Sequence, residues 1–234
     1  MEISQKIKTK IEQVVNVFET GSIEGDYGNV SVYSDGKDRA GNQTIYQVTY
    51  GRSQTTEQGN LKKLLDSYIA KSGKFALALK PYMPQLNKIV GHDTVLSKSK
   101  EFKGILEEAA SDPVMILCQD NFFDVEYYQR ALAWATTWGF KENLSLLVIY
   151  DSFIHSGSML TFLQNAFPEK KPKSGGNERR WIIDYVNVRH NWLKRHDNRD
   201  LRPTVYRTIA FMKCFRNENW NLSQPIQANG EEIK

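Results

Sequence analysis

The twelve residues Leu144-Ser145-Leu146-Leu147-Val148-Ile149-Tyr150-Asp151-Ser152-Phe153-Ile154-His155 constrain this chain more than any other stretch. Nearly all are apolar, so the helix they predict is buried on most faces and must be surrounded by other elements. The run is too short to span a membrane, which takes roughly 18 apolar residues. Asp151 sits inside it. A buried carboxylate without a partner carries a heavy desolvation cost, so a cation from elsewhere in the chain has to meet it. Arg189, on the apolar face of Tyr185-Val186-Asn187-Val188-Arg189, fits that need.

The rest of the chain reads as mainly α with one small β element. Ile3, Ile7, Ile11, Val14, Val15 and Phe18 follow helical spacing, with Gly21 as a stop. Residues 30–33 and 44–50 are β-branched and aromatic with period-two character, and residues 34–43 between them are turn chemistry. They predict an antiparallel hairpin with a ten-residue loop. Everything beyond Gly51 reads as helical. Leu61, Leu64, Leu65, Tyr68 and Ile69 form a stripe ended by Gly73, and a further helix opens near Glu101. Asp112-Pro113 supplies an N-cap and a first helical residue for another. Residues 128–138 continue the helical run to Gly139. A long exposed loop follows His155, then helices over residues 178–195 and 203–214, then a polar tail.

Composition excludes several function classes. Hydrophobic residues make up 40% and charged residues 25%, which excludes a disordered chain. No run approaches a membrane span, so no membrane partner is expected. Residues 1–19 lack the uninterrupted apolar core of a signal peptide, so an extracellular location is expected only if a leader has been removed. Cys118 and Cys214 lie in apolar helical runs and read as buried thiols, a disulfide being the alternative. The histidines, His92, His155, His190 and His196, form no zinc-binding helical pair, and the chain has no Gly-rich phosphate loop. No metal and no cofactor are expected.

The net charge of +4 is small, and its distribution matters more than its sum. Residues 178–207 hold eight basic residues against four acidic ones, interleaved with Trp181, Tyr185, Trp192 and Tyr206. That mixture would suit a single-stranded nucleic acid. The aromatics follow helical core spacing, however, and Asp151 already claims arginine, so no nucleic-acid partner is expected. Residues 19–39 run the other way, with Glu19, Glu24, Asp26, Asp35 and Asp38 against Lys37 and Arg39. An acidic region of this kind suits a cationic partner.

Two carboxylates in that region end adjoining elements. Glu19 follows Val15 by four residues and Ile11 by eight, so it projects from the apolar face of the first helix. Partial burial favours the protonated form of such a carboxyl, as a general acid requires. The alternative is a glutamate frayed outward at the helix end. Asp35 closes the first strand, where loops display catalytic side chains; alternatively the Asp35-Gly36 pair merely caps a turn. Thr44 begins the returning strand, where its hydroxyl is placed to hold a water. Paired carboxylates are what glycoside hydrolysis needs: one protonates the leaving oxygen and the other activates water or attacks directly.

At these residues the chain resembles the family 46 glycoside hydrolases, the chitosanases of the lysozyme-like superfamily. Phe18-Glu19-Thr20-Gly21-Ser22 is similar to the family's acid-bearing helix end, and Val32-Tyr33-Ser34-Asp35-Gly36-Lys37 to its strand ending in Asp-Gly-Arg. Tyr150-Asp151-Ser152-Phe153-Ile154-His155-Ser156-Gly157 resembles its Tyr-Asp-Ala-x-x-x-His-Gly segment. Helices carrying Arg189 and Tyr206-Arg207 resemble its arginine-bearing helices.

The resemblance implies a mainly α, lysozyme-like fold with a small antiparallel sheet and two lobes flanking a substrate cleft. The whole chain would be one catalytic domain, with a smaller lobe over about residues 22–70 and a larger helical lobe over about 75–222. It implies endo-hydrolysis of β-1,4 linkages in chitosan by an inverting monomer. Glu19 would be the general acid, Asp35 the general base and Thr44 the residue that orients the water. Asp151 would be held between Arg189 and Arg207. Tyr33, Lys37, Glu57, Asn60 and His155 would meet the sugar, His155 as a hydrogen-bonded histidine of the cleft floor. The chain departs from the family's pattern after Gly36, where Lys37 replaces arginine and a longer segment precedes Thr44. Asp38 therefore competes with Asp35 for the role of base. Peptidoglycan cleavage and non-catalytic glycan binding are the alternative functions.

Overall fold

Helix α1 (Gln5–Thr20) starts where the Ser4 side chain accepts the Ile7 N–H and stops at Gly21, whose φ of 72° no β-carbon opposes. Its apolar stripe of Ile11, Val14, Val15 and Phe18 is buried, as the spacing predicts. The computed structural model describes residues 1–52 and 54–234. They form two units, Gly25–Phe123 and Met1–Glu24 with Asp124–Lys234.

In the first unit, β1 (Val30–Lys37) and β2 (Thr44–Tyr50) pair antiparallel, and the register shifts between Tyr33 and Gly36. The expected ten-residue loop is therefore corrected. Pairing resumes at Gly36 with Ile45 and at Lys37 with Thr44. The physical reason is Gln58, whose side-chain amide donates to Lys37 O at 2.6 Å and accepts from Lys37 N at 2.7 Å. It holds the strand's end in line as a further strand would. Asp35 consequently lies in the irregular step within β1, not at the strand's end.

Then follow β3 (Thr55–Thr56), α2 (Leu61–Ala70), α3 (Ala76–Leu79), β4 (Ile89–Val90), β5 (Asp93–Thr94), α4 (Lys100–Ala109) and α5 (Pro113–Phe123). The sheet order is β1-β2-β5-β4, with β3 against β2; β5 runs parallel to β2 and the other pairs are antiparallel. These strands correct the expectation that residues beyond Gly51 are all helical. A two-residue strand carries no periodicity to read and depends on its neighbours. Asp112 caps α5 as expected, accepting the Val114 N–H at 2.9 Å, while its other oxygen accepts from the Tyr68 hydroxyl and the Lys74 N–H.

The second unit adds α6 (Gln129–Trp138), α7 (Asn143–Ser156), α8 (Thr161–Gln164), α9 (Glu178–Lys194), α10 (Tyr206–Arg216), β6 (Ile226–Ala228) and β7 (Glu231–Ile233). Every residue of α7 from Leu144 to Phe153 is buried, and α1, α6, α9 and α10 all pack on it. The loop after His155 is not wholly exposed, because Met159 and Leu163 turn inward around α8. Nor is the tail a bare polar tail. Asn229 and Gly230 take positive φ, 44° and 97°, and turn β6 back on β7, burying Ile226, Ala228 and Ile233.

The class is mainly α with a small, largely antiparallel sheet, as expected. Cys118 and Cys214 are free and buried; burial pushes both thiols up, Cys214 to about 11. No helix among the described residues is long and apolar enough to cross a membrane.

Candidate active site

Asp151 is fully buried on α7, and both of its oxygens are taken. Arg189 of α9 gives Nη1 to Oδ2 at 2.6 Å, and Arg207 of α10 gives Nη1 to Oδ1 at 2.7 Å. Burial alone would drive the Asp151 carboxyl upward, but the two guanidinium groups outweigh it and hold it below the ordinary carboxylate range. Arg189 Nη1 also donates to Ser152 Oγ, which the Tyr185 hydroxyl meets at 3.2 Å.

The network extends from the core to the edge of this unit. Arg207 turns Nη2 to Glu19 Oε1 at 2.6 Å and to the Phe18 carbonyl at 3.1 Å. Burial works against the charge of Arg207, yet Glu19 and Asp151 together hold its pKa above the ordinary arginine value. The Phe18 carbonyl also accepts from the Tyr206 hydroxyl at 2.6 Å, and the Phe18 ring packs against Tyr206 and Phe211. These contacts pin the last turn of α1. Glu19 is held, not frayed outward: its side chain is 14% exposed against 3% for Arg207.

The hairpin of the other unit holds Tyr33, Asp35, Lys37, Asp38 and Thr44. Asp35 is exposed, and its Oδ1 accepts from Gln47 Nε2 at 2.9 Å. Asp38 is tied to the turn: its Oδ1 accepts the Asn42 N–H at 2.8 Å, and its own N–H donates to Gln43 O. That bonding gives Asp38 the turn-capping role that was also open for Asp35. Thr44 is exposed and faces Lys37 across the ladder; Lys37 is exposed and Tyr33, 50% exposed, stands opposite Gln47. Asn60 lies at the N-cap position of α2. Gln47 and Gln58 were missed from the sequence. For Gln47 the early signal was a polar residue at an inward position of a strand; Gln58, exposed in the turn after β3, carried none.

Glu57 is a correction. It is fully buried, with Oε2 accepting from Thr94 Oγ1 at 2.5 Å and from the Val48 N–H, and Oε1 from the Asn87 N–H. Its carboxylate ties β2 to β5 and to the turn before β4, so it does not face a sugar.

His155 stands in the last turn of α7. Its Nδ1 lies 3.5 Å from Ser156 Oγ, but Nε2 is buried without a hydrogen-bond partner among the described residues. Burial, then Arg207 and Arg189, push its pKa down to about 3, so the folded imidazole is neutral. Below its ordinary value of 6.5 the unfolded chain takes a proton that the folded ring refuses, and stability falls with falling pH down to about 3. The full slope is about 1.4 kcal/mol per pH unit. The urea midpoint of the wild type is expected to fall more steeply between pH 6.5 and 4.5 than that of His155→Gln. Parallel midpoints in the two proteins would overturn the assignment.

Comparison with known proteins adds an independent line. The family model described as glycosyl hydrolase family 46 matches residues 13–226. A chitosanase of Bacillus subtilis strain 168 is 28% identical over 239 residues, covering 96% of this chain and 82% of its own. Native chitosanase from Bacillus subtilis MY002 superposes with a TM-score of 0.82 at 25% identity over 100% of both chains, as does a mutant complexed with 6 GlcN. A chitosanase of Gynuella sunshinyii in complex with chitotetraose shares the fold, with a TM-score of 0.79 at 22% identity over 99% of this chain and 98% of its own.

Proposed function

The chain belongs to glycosyl hydrolase family 46 and is a glycoside hydrolase, and on that premise we propose that it cleaves chitosan internally at β-1,4 linkages with inversion. Glu19 is the acid: its proton goes to the glycosidic oxygen as the bond from that oxygen to the anomeric carbon breaks. Asp35 is the base: it takes a proton from the water whose oxygen bonds to the same carbon from the opposite face. Thr44 orients that water, while Tyr33, Lys37 and Asn60 offer contacts to neighbouring sugars. The reaction needs no redox change, since one proton is given and one is taken.

The observation that carries this reading is the Arg207 bridge. A surface-edge glutamate is connected through one guanidinium to a fully buried aspartate, at 2.6 and 2.7 Å. A glutamate with no more than a helix-end role would not account for so rigid a support. The acidic excess of residues 19–39 favours a substrate that carries ammonium groups. The Bacillus subtilis MY002 chitosanase mutant is complexed with 6 GlcN, which agrees with that preference.

The wild type is expected to release reducing ends from chitosan with an early loss of viscosity, as internal cleavage does. Proton NMR of the fresh products should show the α anomer first, before mutarotation. A β anomer appearing first would overturn inversion. Solubilisation of peptidoglycan with chitosan untouched would overturn the substrate.

A further inference from the structure

We propose that Gln47 is the positioning residue of the Asp35 carboxylate. This rests on the reading of Asp35 as the base and adds the residue that aims it. The backbone does not aim Asp35 unaided, because the β1–β2 register shifts between Tyr33 and Gly36. The side chain is also exposed, so packing does not hold it. Gln47 supplies what both lack. It is buried on the neighbouring strand, 4% exposed, and its Nε2 donates to Asp35 Oδ1 at 2.9 Å.

The direction of that amide is determined. Gln47 Oε1 accepts the backbone N–H of Gln58 at 2.8 Å. A backbone N–H is a donor only, so exchanging oxygen and nitrogen would set two donors against each other. Nε2 must therefore point at Asp35. Gln58 closes the arrangement by clamping both polar groups of the Lys37 backbone. Gly36 lets it do so, since a Cβ there would lie 2.9 Å from Ile45 Cγ1 and 3.1 Å from Gln58 Oε1. With Oδ1 held by a neutral donor, the water's proton goes to Oδ2.

The test is steady-state kinetics on a soluble glucosamine oligomer across pH, with Asp35→Asn as reference. Gln47→Leu removes the donor and is expected to lower kcat about 10–100-fold, the size of effect that misplacing a reacting group produces. KM should stay near the wild-type value, so the loss reads in kcat and not in binding. Gln47→Glu keeps the acceptor for the Gln58 N–H but sets a second carboxylate oxygen against Asp35, and should lower kcat further. Wild-type kcat in both variants, with Asp35→Asn inactive, would overturn the proposal and leave the base in place. Turnover at the wild-type rate by Asp35→Asn would instead overturn Asp35 as the base. Should either Gln47 variant fail to fold, NMR of the wild type decides. The Gln47 side-chain amide must titrate with pH in the wild type and cease to do so in Asp35→Asn; an amide that does not titrate overturns the proposal.

Discussion

Asp151→Ala is expected to destabilise the protein by about 3–5 kcal/mol, the cost of removing one partner from a buried ion pair. The two arginines do not suffer equally. Arg207 keeps Glu19 and the Phe18 carbonyl. Arg189 is fully buried, and its Nη1 keeps only the Ser152 hydroxyl among its hydrogen bonds described above. The loss therefore falls mainly on Arg189, and Arg189→Met in the Asp151→Ala background should recover part of it. All five tryptophans, Trp134, Trp138, Trp181, Trp192 and Trp220, belong to the unit that holds this network. Tryptophan fluorescence in urea thus reads the affected unit directly, and the midpoint should drop with little change of slope. A wild-type midpoint would refute the assignment.

Glu19→Gln is expected to lower kcat on chitosan about 10²–10⁴-fold, the range general acid catalysis contributes. The amide retains an oxygen for Arg207 and nearly the same shape, so the end of α1 stays pinned. What it lacks is a proton to give. The defect should therefore shrink on a dinitrophenyl glycoside of a glucosamine oligomer, whose leaving group departs without protonation. Full activity on chitosan would remove Glu19 from the acid's role. An equal defect on both substrates would point to lost positioning, not lost proton donation.

Several elements were legible because their signals are local. The apolar run 144–155 predicts a buried helix, and α7 is buried from Leu144 to Phe153. The stripe of α1 and the Asp112-Pro113 start of α5 follow from periodicity and capping in the same way. Asp151 demanded cations by desolvation alone, and Arg189 meets it as the sequence implied. The Asn229-Gly230 pair was a readable turn signal as well, yet the short strands beside it lack enough residues to show an alternation.

The sequence by itself determined the helical class, the buried carboxylate with its need for arginine, and the acidic region that holds Glu19 and Asp35, because burial cost and helical period act over a few residues. Only the tertiary structure decided that Glu57 is an internal strut, that His155 keeps a buried ring nitrogen unpaired among the described residues, and that Gln47 and Gln58 hold the strand carrying Asp35. Each of those outcomes depends on which distant backbone N–H or side chain arrives within about 3 Å, the reach of a hydrogen bond, and spacing along the chain does not encode that approach.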